Sequence, residues 1–290
     1  MNDAPRPLSL AEGRLAALAW GRDDAPTWLA LHGWLDNAAT FSLLAPRLVD
    51  RLDIRIVAID FAGHGQSAWL PAQVDYAIWD YIHDILDALD TLGIRRTTLL
   101  GHSMGAMVSS LVAATLPERV ERLWLIDGLL GVLATSTDHT ASQLRNGVLG
   151  MRRRASTPPS YADMESAVNA RVVGAVTPLD HDTAAILVAR SLAEDDNHQL
   201  YRTDDPRLLR PSLVRFTPEQ NNHLLATIKA PIDLIEAEQG ILGERLYAIE
   251  ARQHVRQLTR YLLPGGHHLH LEAKHVAAVA NVIIDAYSTG

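Results

Sequence analysis

One stretch limits what this chain can become: Thr97-Thr98-Leu99-Leu100-Gly101-His102-Ser103-Met104-Gly105-Ala106. β-prone residues open it, the chain turns at Gly101, and from Ala106 to Ala114 it continues as an almost wholly apolar helix halted by Pro117. A strand that runs through a sharp turn into a buried helix is the context in which G-x-S-x-G carries meaning. Such a turn lifts one side chain out of the sheet in a strained conformation. Gly101 and Gly105 remove the Cβ atoms that would collide where strand and helix crowd together. Ser103, at the apex, falls at a helix N-terminus, where free N–H groups and the dipole favour negative charge. The pattern predicts Ser103 as a nucleophile and the amide of Met104 as a donor to the oxyanion that follows. A glycine-rich turn with an incidental serine is the competing reading, and the flanking strand and helix weigh against it.

The rest of the chain predicts the sheet around that turn. Apolar runs at 14–20, 26–31, 54–59, 120–126, 232–237 and 258–263 read as further strands. Helices are expected near 40–48, 76–92, 243–252 and 274–287. Continuous apolar runs joined by helices indicate a mostly parallel sheet flanked by helices, an α/β protein. Asp80, Asp84, Asp87 and Asp90 share one helix and are expected on its solvated face. From 131 to 227 the pattern holds helices and loops and no convincing strand. That segment is therefore expected to be a helical cap, inserted after the strand at 120–126, counted as the sixth core strand. Residues 1–130 and 228–290 form the core on this reading. Within the cap, Arg152-Arg153-Arg154, Glu194-Asp195-Asp196 and Asp204-Asp205 are expected at the surface, and Thr217-Pro218-Glu219-Gln220 reads as a helix start.

Composition removes several classes. A hydrophobic fraction of 48% suffices for a sizeable core, and a formal net charge of −8 argues against a nucleic-acid partner. The absence of Cys excludes a disulfide framework, a thiolate nucleophile and a Cys-ligated metal. No apolar run reaches the length of a membrane span, and the first residues lack a basic-then-apolar leader pattern, so a cytoplasmic protein without membrane contact is expected.

Two further stretches supply chemistry. His32-Gly33-Trp34 follows a strand, so the Trp34 amide is the candidate second oxyanion donor, and Trp34 is expected beside the substrate. Pro264-Gly265-Gly266-His267-His268-Leu269-His270 follows the last strand, where a base must reach Ser103, and imidazole has the proton affinity for that task. His102 is expected to pack beneath the turn, and Asp60 to tie down the loop that holds His64 and Ser67.

In this order (HGW, DFAGHGQS, GHSMG, insertion, late GH) nearly the whole chain resembles the α/β-hydrolase superfamily. Leu31-His32-Gly33-Trp34-Leu35-Asp36-Asn37, Ala237-Glu238-Gln239-Gly240 and Gly266-His267-His268-Leu269-His270-Leu271-Glu272 make it similar to the serine hydrolase-like branch. The resemblance implies that the histidine directly after Gly and five residues before Glu272 is the base, hence His267. His268 is then expected to line the substrate pocket. No H-E-x-x-H spacing accompanies these histidines, and the resemblance implies neither metal nor cofactor. The acid departs from the family pattern, since its usual position holds Gly240. Asp127, at the end of a core strand, is the preferred substitute and Glu238 the alternative.

The expectation is a serine hydrolase acting on a small-molecule carboxylic ester, as a monomer or homodimer. Thioesterase chemistry, C–C bond hydrolysis and a non-catalytic binding protein on the same scaffold stay open at this point.

Overall fold

The computed structural model describes residues 4–131, 135–153 and 157–288. Its centre is an eight-stranded sheet built in chain order from two halves. The first half supplies β1 (Arg6–Leu10), β2 (Leu15–Trp20), β3 (Thr27–Leu31), helix α1 (Ala45–Leu52) and β4 (Arg55–Ile59). It continues with α2 (Tyr81–Thr91), β5 (Thr97–His102), α3 (Met104–Thr115) and β6 (Val120–Ile126). After a long insert come α7 (Pro218–Thr227), β10 (Ile232–Gln239), α8 (Leu246–Gln253), β11 (Leu258–Gly266) and α9 (Val276–Ser288). The insert itself holds α4 (Thr140–Arg152), β7 (Ser160–Tyr161), α5 (Met164–Val173), α6 (His181–Arg190), β8 (Leu192–Glu194) and β9 (Leu200–Arg202).

The strand order is β1-β2-β4-β3-β5-β6-β10-β11. β1 and β2 pair antiparallel, β2 runs antiparallel to β4, and the remaining neighbours are parallel. The pleat of each central strand divides the core into two layers. Leu99, Val57, Ile59, Leu123 and Leu125 face the layer covered by α2, α3, α7 and α8. Leu100, Ile56, Ala58, Trp124 and Ile126 face the layer under α1 and α9. Strands buried on both faces need continuous apolar sequence, and that is why these runs show no alternation. Parallel order brings the C-terminal ends of β3, β5, β6 and β11 to one edge of the sheet, where the functional stretches begin.

Several expectations shift in the structure. β1 is an additional edge strand; its residues are mostly exposed, and Pro7 is tolerated there because an edge strand has a free side. The helix expected at 40–48 is a 3₁₀ turn, Ala38–Phe41, followed by α1, with Pro46 near its start. α2 begins at Tyr81, five residues later than the periodicity predicts, because Tyr76 is engaged outside a helix. Its hydroxyl donates to Asp205 and accepts from the amide of Leu70. Asp84 is buried, unlike its exposed neighbours Asp87 and Asp90, since it accepts the Ala62 amide at 2.8 Å and pairs with Arg14.

The insert follows β6, the sixth strand in sequence. α5, α6 and α7 each start on a side-chain cap: Asp163 accepts from Ser166 N, Asp180 from Thr183 N, and Thr217 forms a reciprocal box with Gln220. Besides helices it holds the three-stranded sheet β7-β9-β8, which the sequence did not predict, as these strands have two or three residues each. α7, the last helix before β10, packs on α3 and α8 of the core layer. Asp204 and Asp205 are buried rather than at the surface. Asp204 accepts the Gly65 amide at 3.0 Å, and Asp205 pairs with Arg207 and Tyr76. Arg152 closes α4, Arg153 follows it, and Arg154 lies outside the described residues. Among the described residues, no helix is long and apolar enough to cross a membrane.

Candidate active site

Ser103 sits between β5 and α3 with φ 52° and ψ −113°, in the region that side chains other than glycine rarely adopt. Three main-chain bonds hold it there: its N–H donates to Ile126 O at 3.0 Å, and its carbonyl accepts from Ala106 and Met107 at 3.1 and 3.2 Å. The turn is also tight from below, because a Cβ on Gly105 would lie 2.0 Å from Leu31 O. Ser103 remains partly accessible although its neighbours on both sides are buried.

Asp127 ends β6, wholly buried, with φ 41°. Its N–H donates to Ile235 O at 2.7 Å. One carboxylate oxygen, Oδ2, accepts the Ile241 amide at 2.9 Å and the Nδ1–H of His267 at 2.6 Å. The loop after β10 wraps over this carboxylate so closely that a Cβ on Gly240 would lie 2.3 Å from it. Glu238, the alternative acid, is turned to solvent. With Nδ1 donating to a carboxylate, His267 is left with Nε2 as the nitrogen for other work. Among the described residues, neither that nitrogen nor the Ser103 hydroxyl makes a hydrogen bond.

The other predicted positions fall around this centre. The peptide of Met104 opens α3, where helix amides lack intrahelical partners. Gly33 is adjacent to Ser103, since a Cβ on it would stand 3.2 Å from that of Ser103, and Trp34 is the next residue. The Trp34 ring is exposed at 41% and donates its Nε1–H to Leu208 O of the insert at 3.2 Å. His268 departs from expectation: it is buried, its Nε2 lies 3.1 Å from Asp36 Oδ2, and it is not among the residues lining the apolar cavity between core and insert. The preference for facing a carboxylate rather than substrate comes from Asp36, which sequence reasoning passed over; its position three residues past Gly33 in a polar Leu-Asp-Asn turn was the available signal.

Buried imidazoles support the site from below. His32 accepts the Phe61 amide on Nε2 at 2.9 Å and donates Nδ1–H to Gly33 O at 2.7 Å, so it is neutral; burial, aided by His64, pushes it down to about 3. Burial likewise pushes His102 down to about 4 and lowers His270 and His64. Burial alone raises the carboxyl of Asp36, but His268, His102 and Arg171 outweigh it and hold the group well below the usual carboxylate range. Asp36, His102 and His268 bring donor atoms within 4.8 Å of one another, a set able to hold a metal ion. Their carboxylate is already occupied, Oδ1 by Arg171 at 2.7 Å and Oδ2 by His268. Asp60, as expected, ties its loop through the Gln66 amide, and Ser67 is spent on Asp60 O and the Ala16 amide.

A cavity of about 330 Å³ opens between core and insert. Ile78, Trp79, Met107, Leu130, Leu213 and Phe216 make its wall mainly apolar. Met107 stands one helical turn beyond Ser103, and Leu130 three residues beyond Asp127.

A strained serine between strand and helix and a buried Asp–His pair from the next strand and last loop, on a mostly parallel sheet, define a class. A family model described as the alpha/beta hydrolase fold matches residues 26–273, and the chain belongs to that family. Within it, the chain falls in the serine hydrolase-like branch. A serine hydrolase-like protein of Dictyostelium discoideum is 33% identical over 273 residues, covering 89% of this chain and 74% of its own. One from Danio rerio is 30% identical, covering 94% of this chain and 85% of its own. The crystal structure of a hypothetical protein from Pseudomonas aeruginosa PAO1 superposes with a TM-score of 0.89 at 39% identity, covering 98% of this chain and 99% of that one. A thioesterase domain from the curacin biosynthetic pathway shares the fold at 23% identity, TM-score 0.80, over 97% and 98% of the two chains.

Proposed function

We propose that the protein is a serine hydrolase cleaving carboxylic esters of small to medium acyl groups through an acyl-enzyme. The observation that carries this reading is the 2.6 Å contact of His267 Nδ1 with buried Asp127, on a loop beside a serine in strained backbone. Ser103 Oγ attacks the acyl carbon while His267 Nε2 takes its proton. The oxyanion forms against the main-chain N–H groups of Trp34 and Met104, each such donor contributing about 3 kcal/mol to the transition state. The leaving alkoxide takes the proton from His267. A water then gives its proton to His267 and attacks the acyl carbon; the bond to Ser103 breaks, Oγ takes that proton back from His267, and the acid is released. Asp127 keeps the proton on Nδ1 throughout and stabilises the imidazolium without being protonated itself.

The apolar cavity beside Met107 and Leu130 is the seat of the acyl group on this reading, and a site of that kind suits a mostly apolar substrate. The segment 131–227 acts as its cap, with α7 at its end serving the core layer on which it packs. No cofactor has a part in these steps.

A fluorophosphonate probe tests the reading. Wild-type protein is expected to be labelled at Ser103 and to turn over p-nitrophenyl esters. Ser103→Ala is expected to lose both with its melting temperature nearly unchanged. A wild-type protein that resists the probe and every ester overturns the assignment in favour of a binding protein.

A further inference from the structure

Asp36 bonds two separate parts of the proposed machinery and lies against a third. Its main-chain N–H donates to Gly33 O at 3.1 Å, closing the turn that presents the Trp34 amide. Its Oδ2 accepts Nε2–H of His268, the residue after the base, at 3.1 Å. The same oxygen lies 3.6 Å from Nδ1 of His102, the residue before the nucleophile. His102 holds the base independently of Asp36: a carbonyl only accepts, so the 2.9 Å contact between its Nε2 and His267 O is an N–H donated to the base's own main chain, and the neutral ring then has no proton on Nδ1 to give Asp36. The rings of His102 and His267 are 4.6 Å apart, and those of His102 and His270 4.2 Å. A ring held this way has little freedom to tilt. Asp36 is itself held from outside the sheet, for Arg171 of α5 donates to its Oδ1 at 2.7 Å. Both groups are buried, Asp36 almost wholly and Arg171 largely.

Resting on the serine-hydrolase reading, we infer that Asp36 is a positioning residue for the base, and that Arg171 makes its hold depend on the insert. Asp36 touches no reacting atom. It fixes the residue that follows His267, through the His268 ring, and its main-chain N–H closes the turn that carries Trp34, so both are in register when substrate arrives. The insert thereby has a mechanical link to the base: α5 moving away from the sheet withdraws the guanidinium and leaves a buried carboxylate to find other partners. Loss of that register acts on the chemical step and leaves the acyl pocket, whose lining includes neither Asp36 nor His268, unchanged.

The experiment uses the full chain and the variants Asp36→Asn, Arg171→Met and the pair together. Misplacing a catalytic group by an ångström costs up to about a hundredfold, so Asp36→Asn is expected to lower kcat about tenfold to a hundredfold with KM within about twofold. Arg171→Met is expected to lower kcat in the same way, and the double variant no further than Asp36→Asn alone, since both act through one link. The strongly downfield NMR resonance of the His267 Nδ1 proton, shared with Asp127, is expected to broaden or vanish in each. Folded Asp36→Asn with wild-type kcat and an intact resonance overturns the proposal. If Asp36→Asn does not fold, Arg171→Met decides by the same two measurements. If the wild type proves inert to probe and ester, the functional reading falls, and the resonance alone decides: lost in the variants, Asp36 positions the ring; kept, it does not.

Discussion

At Asp127 burial, a positive φ and three accepted hydrogen bonds converge on one carboxylate. Asparagine there keeps the shape, but it stabilises the wrong tautomer of His267 and removes the charge that supports imidazolium. Asp127→Asn is expected to lower kcat for a p-nitrophenyl ester about 10⁴-fold, the scale seen when a triad acid becomes an amide. Glu238→Gln, at a solvated position, is expected to leave kcat unchanged in the same assay. A large loss in Glu238→Gln and a small one in Asp127→Asn overturns the assignment of the acid. At this scale the strained turn at Ser103 and the loop that carries His267 were legible, because local sequence makes them so: glycines bracket the one residue, and glycine precedes the other. The carboxylate that faces His267 was narrowed to two candidates only, since it is 140 residues away from the ring and nothing nearby marks it. Asp36 carried only a faint mark, its place in the turn after Gly33. Its three contacts come from distant segments, and in sequence it is one more turn aspartate.

Among the elements, the strands buried on both faces were readable to within a residue or so, as at Thr27–Leu31 and Val120–Ile126. β1 and the short strands of the insert were not, because an exposed edge strand has no apolar period to read. The start of α2 was misjudged for a tertiary reason, the capture of Tyr76 by Asp205. Similar long-range polar bonds fasten the insert to the core. Arg190 of α6 reaches Asp60 with Nε at 3.1 and 3.0 Å and Nη2 at 2.9 Å, where burial raises the carboxyl against the guanidinium's pull. Removing one partner of such a pair strands a buried charge. Arg190→Met is therefore expected to destabilise the protein by about 3 kcal/mol, measured from its urea midpoint, far more than a surface arginine would. An unshifted midpoint excludes that role for the pair.

For the molecule as a whole, the cluster of buried neutral histidines sets the response to acid. His32 and His102 have folded values depressed to about 3 and about 4 against 6.5 for the free side chain. The unfolded chain therefore binds protons first as pH falls. Their contribution is complete above about pH 6.5 and is lost progressively as pH falls from there toward the folded values. Each fully responding histidine contributes a slope of about 1.4 kcal/mol per pH unit, so the two together give nearly twice that between about pH 6 and 5. Urea unfolding followed from pH 7.5 to 5 is expected to show a flat upper limb and then this decline. A stability that rises on acidification over that range contradicts the neutral state assigned to both rings.

The space beside His267 admits a single carboxylate, and it lies on the seam between two neighbouring strands. Asp127 fills it from one strand, and the hydrogen-only residue at 240 yields it from the other, with 2.3 Å separating a would-be Cβ from the oxygens already there. Moving the acid to the second strand thus requires both positions to change at once. An aspartate gained at 240 alone would meet its rival head-on, and a glycine gained at 127 alone would leave the imidazole without an anion. The two residues form one locked choice: a carboxylate at 127 requires that no side chain stand at 240.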